Sequence, residues 1–246
     1  MKLKVINSNS LGNSYILEND SEALLLECGV GLSEIKKAID FNTSKFVGAL
    51  ITHEHGDHSK SCLSVMEAGI DVYASKGTFS KLKTLSHRTK ILEKMKKVKI
   101  GNFTVVPFDV KHDAAEPFGF LINHPETGNI LFLTDSYYCP YKFENLNQII
   151  VEANYSEKII EGRMNDKNDV NMFLRNRVIQ SHMSLENCIG LLKANDLTKV
   201  NNIVLIHLSD GNSNEKQFKK EVEEATGKQT FVASPGMVIN FNINPF

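Results

Sequence analysis

The chain has 246 residues, 41% of them hydrophobic, and a formal net charge of −1. That size and apolar content suffice for one large packed domain, and the near-neutral balance excludes a protein that coats nucleic acid by bulk charge alone. There is no run of about 18 apolar residues, so no membrane span is expected. The opening residues, MKLKVINSNS, lack the apolar core of a secretion signal. Cys28, Cys62, Cys139 and Cys188 are scattered and form no CxxC pair, which argues for buried, reduced thiols and a cytoplasmic setting. No linker, repeat or low-complexity tract interrupts the sequence, so a single domain over 1–246 is expected.

In chain order, KLKVIN, NSYILEN and ALLLEC read as short strands separated by turn residues. SEIKKAID (33–40) reads as a helix capped by Ser33. The mostly apolar run 45–53 reads as a buried strand that ends at His53. A helix is expected over 59–69, then a strand at 71–75 and a basic helical region. KVKIGNFTVVPFDV forms two strands about Gly101–Asn102, and 118–135 a hairpin built on Glu126–Asn129. Residues 148–154 form a strand, SEKIIEGR a helix, and 184–196 a helix with Ser184 as its N-cap. The strand 201–209 ends near His207, 214–227 is an amphipathic helix, and MVINFNI closes the chain. Strands interrupted by helices in both halves predict two sheets with helices outside them.

Three of the chain's eight histidines fall within THEHGDH, residues 52–58. Residues two apart on a strand project together, so His53 and His55 form one pair. Gly56 permits a sharp turn, and Asp57 and His58 are aimed differently. Two cation sites sharing one loop explain the surplus, since three protein ligands plus water complete a catalytic zinc site. Further ligands must come from elsewhere. Asp135 in ILFLTD and His207 in IVLIHLS each end an apolar β run, and His112 follows another.

THEHGDH resembles the HxHxDH signature of the metallo-β-lactamase fold superfamily. SNSLGNSYI, HDAAEPFGF, LTDSYY, VEANY and SHMSLENC further resemble its YycJ/WalJ group. The resemblance covers almost the whole chain and implies an α/β, four-layer αβ/βα sandwich with the metals at one edge. It implies that His53, His55 and His112 hold one ion, Asp57, His58 and His207 a second, and Asp135 both. The ions are two divalent cations, with zinc favoured by the histidine-rich set and manganese or iron as alternatives. One departure is Glu27, where many relatives have aspartate. The resemblance further implies a hydrolase whose nucleophile is a hydroxide bridging the metals and aimed by Asp57. His182 matches a histidine that, in phosphodiesterase branches such as the tRNA 3′-processing nucleases, stabilises the phosphate or protonates the leaving oxygen.

The expected substrate is nucleic acid, DNA ahead of RNA, cleaved as by an exonuclease. The segment 76–99 carries nine lysine and arginine side chains against one carboxylate, Glu93, and offers a phosphate-attracting patch or a solvated face. The loop 8–14 offers hydrogen bonds to phosphate, Tyr137, Tyr138 and Tyr141 offer base stacking or local packing, and Arg175 and Arg177 offer phosphate contacts. His87 and His124 read as surface residues. Two other functions fit the same ligand set: a thioesterase or lactonase of glyoxalase II type, and a metal-stabilised nucleic-acid-binding or regulatory module. Oligomeric state is not encoded in any of these features.

Overall fold

A computed structural model describes residues 1–164 and 178–244. Fourteen strands in these residues form two seven-stranded sheets. The first has the order β14 (Val238–Asn240), β1 (Lys2–Asn9), β2 (Gly12–Glu18), β3 (Ala23–Leu26), β4 (Phe46–Leu50), β5 (Val72–Ser75), β6 (Thr89–Leu92). The second has the order β13 (Gln229–Val232), β12 (Asn202–Ile206), β11 (Leu146–Glu152), β10 (Gly128–Leu133), β9 (Phe118–His124), β8 (Phe103–Asp109), β7 (Val98–Ile100). Both sheets are mixed: β3 to β6 run parallel, as do β10 to β13, while the remaining neighbours are antiparallel.

Period-two alternation builds the layers. On β3, Leu24 and Leu26 face the gap between the sheets, where they join Tyr15, Phe120 and Phe132, while Leu25 faces outward. On β12, Val204 and Ile206 enter the same central core, and Ile203 and Leu205 face the opposite side. The outward residues of the first sheet pack against α1 (Leu32–Ala38), α3 (Cys62–Glu67) and α4 (Lys76–Leu82) through Ile35, Val65, Met66 and Phe79. Those of the second pack against α6 (Leu185–Lys193) and α7 (Glu215–Thr226) through Leu185, Cys188, Leu192, Phe218 and Val222. Three apolar interfaces between four layers give the expected αβ/βα sandwich. Each large side chain buried in them contributes about 1.5–3 kcal/mol of transfer free energy.

The local expectations need four corrections. Helix α1 starts from Gly31, not Ser33. Strand β4 stops at Leu50, and a short helix α2 (Gly56–Ser59) opens inside the histidine motif. The segment 76–99 is helical only over α4: it also contributes β6, an unexpected edge strand of the first sheet, before it enters β7, the expected KVKI strand at the edge of the second. His124 is buried at 3% exposure, although His87 is exposed as expected. Ser184 does cap its helix, accepting from the Asn187 amide. The helix α5 (Glu157–Met164) forms over SEKIIEGR. All four cysteines are buried and free. Among the described residues no helix is long and apolar enough to cross a membrane. Arg175 and Arg177 lie outside the described residues.

Candidate metal centre

Five strands end at one edge of the sandwich, and the chain delivers a polar side chain just after each. Three deliveries use the left-handed backbone region, which costs about 1–3 kcal/mol for a residue other than glycine: Glu27 after β3 (φ 65°), Asp135 after β10 (φ 46°) and His207 after β12 (φ 54°). His53 and His55 follow β4 in an extended loop, not on the strand itself. They converge nonetheless, with His53 Nε2 and His55 Nδ1 3.0 Å apart.

Close backbone packing fixes the motif. A Cβ added to Gly29 would lie 1.7 Å from the Asp57 carbonyl oxygen, and one on Gly12 would lie 2.3 Å from the Gly29 oxygen. Only glycine permits this stacking of the β1–β2 hairpin, the post-β3 turn and α2. The Cys28 amide donates to the His58 carbonyl at 2.7 Å. The 8–14 segment is therefore a hairpin whose residues brace the site. Asn13 Nδ2 lies 3.4 Å from Asp57 Oδ2 and 3.3 Å from His58 Nε2, and Ser8 Oγ accepts from the His207 amide at 3.0 Å.

Potential ligand atoms of His53, His55, His112 and Asp135 all lie within 4.8 Å of one another, as do those of Asp57, His58 and His207. Asp135 Oδ2 stands between the groups, 3.6 Å from His53 Nε2, 3.5 Å from His112 Nε2 and 3.3 Å from His58 Nε2. Asp57 Oδ2 is 3.3 Å from His58 Nε2 and 3.1 Å from His207 Nε2. A tetrahedral ion with bonds of about 2.0–2.2 Å has ligand–ligand edges near about 3.4 Å, and these spacings match. The donor set makes the same point. His55 Nδ1 faces two imidazole nitrogens, His53 Nε2 and His112 Nε2, each at 3.0 Å. One ring nitrogen cannot complement both by hydrogen bonding, whereas lone pairs converging on a cation explain the geometry. The residues fit divalent metal ions.

The electrostatics divide the imidazoles: burial opposes the charged forms of His58 and His207, but Asp135 and the other nearby carboxylates outweigh it and raise both above the ordinary pKa. Burial, aided by neighbouring His58, pushes the His53 imidazole well below its ordinary pKa, and burial likewise lowers that of His112. Both are therefore neutral ligands. Burial opposes ionisation of Asp57 and Asp135, but the surrounding histidines outweigh it and hold both carboxyls well below the usual range.

His182 reaches the same pocket, a cavity of about 480 Å³ that it lines with His55, Asp57, His112, Asp135 and His207. Its ring stacks on that of His207, 5.2 Å between centroids at 11°. Glu152, fully buried at the end of β11, accepts from His182 Nδ1 at 2.7 Å and from the Met183 amide at 3.0 Å, and lies 3.2 Å from His207 Nδ1. Glu152 was missed in the sequence, although QIIVEAN is another apolar strand ending in a carboxylate, the pattern that identified Asp135. Asn13 and Asn154 were also missed; Asn154 Nδ2 donates to the His207 carbonyl at 2.7 Å. Glu27, the departure from the usual aspartate, places Oε1 3.7 Å from His58 Nδ1 and accepts from the Thr52 amide. A larger, more open cavity of about 780 Å³ lies around Met1, Lys4, Glu18 and Lys45. It contains none of the ligand cluster, so chemistry and not size identifies the site.

The basic segment begins beside this edge: the Gly77 amide at the start of α4 donates to Glu116, four residues beyond His112. At least four of its nine cations are paired, Arg88 and Lys90 with Asp71, Lys94 with Asp109 and Lys96 with Glu93.

A family model described as the beta-lactamase superfamily domain matches residues 24–208, which include every strand end of this centre. The chain belongs to that superfamily. Among curated proteins, it is 28% identical over 174 residues to "Exodeoxyribonuclease WalJ" of Streptococcus pneumoniae serotype 2, covering 65% of this chain and 64% of the relative. It is also 28% identical over 174 residues to "Exodeoxyribonuclease YycJ" of Bacillus anthracis, covering 65% of each. The match thus spans just under two thirds of these relatives' length. The crystal structure of the metallo-beta-lactamase fold protein YhfI from Bacillus subtilis superposes with a TM-score of 0.75 over 97% of this chain and 98% of its own, at 17% identity, which bears on the fold alone. Superfamily membership and the His/Asp cluster together support a hydrolase that uses divalent metal ions.

Proposed function

We propose that this chain is a binuclear metal-dependent phosphodiesterase that cleaves nucleic acid, DNA in preference to RNA, in the manner of an exonuclease. His53, His55 and His112 would hold one ion, Asp57, His58 and His207 the other, with Asp135 common to both and zinc the favoured metal. When bound, such cations supply Lewis acidity toward phosphoryl oxygens and a water-derived nucleophile near neutral pH. Asp57 would also accept a hydrogen bond from the attacking water and aim it.

The observation that carries the reading is His182. Glu152 accepts a hydrogen bond from His182 Nδ1–H at 2.7 Å; burial opposes the charged ring, but Glu152 and Asp135 outweigh it and raise the His182 pKa, favouring an imidazolium with Nε2–H left for the pocket. A positioned imidazole there can donate a proton to a departing sugar oxygen or to a phosphoryl oxygen. A thioester, whose leaving thiolate is stable near neutral pH, has less need of such a donor. The names of the WalJ and YycJ relatives support DNA as the substrate, and the cations that begin at Lys76 favour a polyanion.

The test is digestion of 5′- and 3′-labelled DNA and RNA by zinc- and manganese-loaded protein, beside a thioester and bis-p-nitrophenyl phosphate. Phosphodiester cleavage is expected. His182→Ala is expected to slow it about a hundredfold or more while metal content is retained. Thioester hydrolysis without phosphodiester cleavage would replace this reading with a glyoxalase-type one. DNA binding without cleavage would replace it with a binding module.

A further inference from the structure

A second groove lies between the loop that follows Asp135 and helix α6. After Asp135 the chain runs through Tyr137 and Tyr138, which are 41% and 55% exposed. Exposed neighbouring aromatics are unusual, because such rings ordinarily bury most of their area. Their backbone is nonetheless held firmly. Ser136 Oγ accepts from the Lys111 amide at 3.0 Å and donates to the Tyr138 carbonyl at 2.8 Å. The Tyr137 amide donates to the Lys111 carbonyl at 3.2 Å, and Asn187 Nδ2, on α6, donates to the Tyr137 carbonyl at 3.2 Å.

Between this loop and α6 lies a groove of about 300 Å³, lined among others by Tyr138, Tyr141, Lys142, Met183, Asn187 and Gly190. Met183 directly follows His182, so the segments bounding the groove also bear Asp135 and His182. A Cβ at Gly190 would meet nothing within 4 Å, so the helix leaves that stretch of the groove open. Among the described residues no carboxylate lines it, and Lys142 supplies a cation.

We propose that this groove is a nucleobase subsite. It takes an unstacked base flanking the scissile phosphate, with Tyr138 stacked on the base and Lys142 near the neighbouring phosphate. The assignment rests on the reading of the metal centre as a nucleic-acid phosphodiesterase. Two features choose the occupant: the segments that bound the groove also bear Asp135 and His182, and its lining combines apolar side chains (Pro140, Leu191) with two tyrosines, an asparagine amide and a lysine. This is the chemistry that holds single strands, through tolerant stacking and backbone charge.

The chain contains no tryptophan, which provides a clean reporter. Tyr138→Ala and Gly190→Leu, which fills the groove, are compared with wild type in metal-loaded form. The substrates are a single-stranded oligonucleotide, a series with one abasic position walked inward from each end, and methyl p-nitrophenyl phosphate, which has no flanking base. Both variants are expected to raise KM for the intact strand about tenfold and to leave turnover of the small diester unchanged. One abasic position should reproduce that loss in wild type and add nothing in Tyr138→Ala. Tyr138→Trp should retain affinity, and its emission should be quenched by the intact strand but not by that abasic one. Equal losses on strand and small diester, unchanged KM for the strand, or losses that multiply between variant and abasic site overturn the subsite. A wild-type enzyme that cleaves the small diester but no oligonucleotide overturns the nucleic-acid reading, and the subsite with it.

Discussion

The two ends of the sandwich hold the sheets together with the same residue types, to opposite effect. Strands β3, β8 and β10 begin at one end and finish at the other. At the far end, Glu22 before β3 accepts from the Asn102 amide at 3.0 Å, from Asn102 Nδ2 at 2.7 Å and from His124 Nε2 at 3.1 Å. His124 Nδ1 in turn accepts from the Glu126 amide at 3.1 Å. Both nitrogens of this buried histidine meet a complementary partner. At the metal end, His53 is equally buried, but its Nε2 faces another imidazole nitrogen, and His55 Nδ1 faces two. A saturated polar cluster is structure; one in which imidazole nitrogens converge on one another is built to receive a cation. Burial and histidine content alone do not distinguish them.

The largest expected effect breaks the contrast at its centre. Asp135→Ala removes the carboxylate common to both ligand groups. Elemental analysis should find fewer than two metal ions per chain, and phosphodiester turnover should fall about a thousandfold or more, since several kcal/mol of charge stabilisation depends on the metals. Full metal content with unchanged turnover would end the binuclear reading. The substitution should leave the fold intact by circular dichroism, because it relieves no apolar contact.

A smaller effect is expected at Glu27. Its carboxylate lies behind His58, 3.7 Å from Nδ1, which has no closer partner among the described residues. A carboxylate behind a ligating imidazole orients the ring and raises its basicity, and losing it typically weakens metal affinity 10–100-fold. Glu27→Gln should therefore weaken one of the two metal sites by about that factor in a chelator competition, leaving the other unchanged. Equal weakening of both sites would show that Glu27 acts on the fold and not on His58.

Much of this was legible in the sequence because its signals are dense. Seven residues from Thr52 to His58 carry four of the candidate ligands, and the apolar runs before Asp135 and His207 mark strand ends. The resemblance to a known signature assigned them to two groups. What stayed hidden follows from tertiary structure. The left-handed turns at Glu27, Asp135 and His207 occur at residues other than glycine, where even the modest enrichment of aspartate and histidine in that region is too weak a signal to read from sequence. Glu152 sits in a strand that looks like ordinary core until His182 is brought to it from 30 positions away. His124 read as a surface residue because its turn, HPETG, is polar. Its burial depends on Glu22, 102 positions distant.

The smallest effect is at that far end, and it leaves catalysis alone. Burial by itself would raise the Glu22 pKa, but the Asn102 and His124 hydrogen bonds outweigh it and hold the carboxyl below its ordinary value of 4.5. A group whose pKa is depressed by folding contributes stability above its unfolded value and loses that contribution as pH falls through the folded one. Glu22→Gln should therefore lower stability at pH 7 by about 1–3 kcal/mol, because it leaves a buried donor without its acceptor. The gap to wild type should narrow as the pH drops below about 4.5. Metal content and phosphodiester turnover at pH 7 should not change, since the site lies beyond the full length of the strands. Denaturant midpoints measured from pH 7 to pH 3 decide the point. A gap constant across that range would mean that Glu22 acts only by its shape, and loss of metal in this variant would mean that the two ends are not independent.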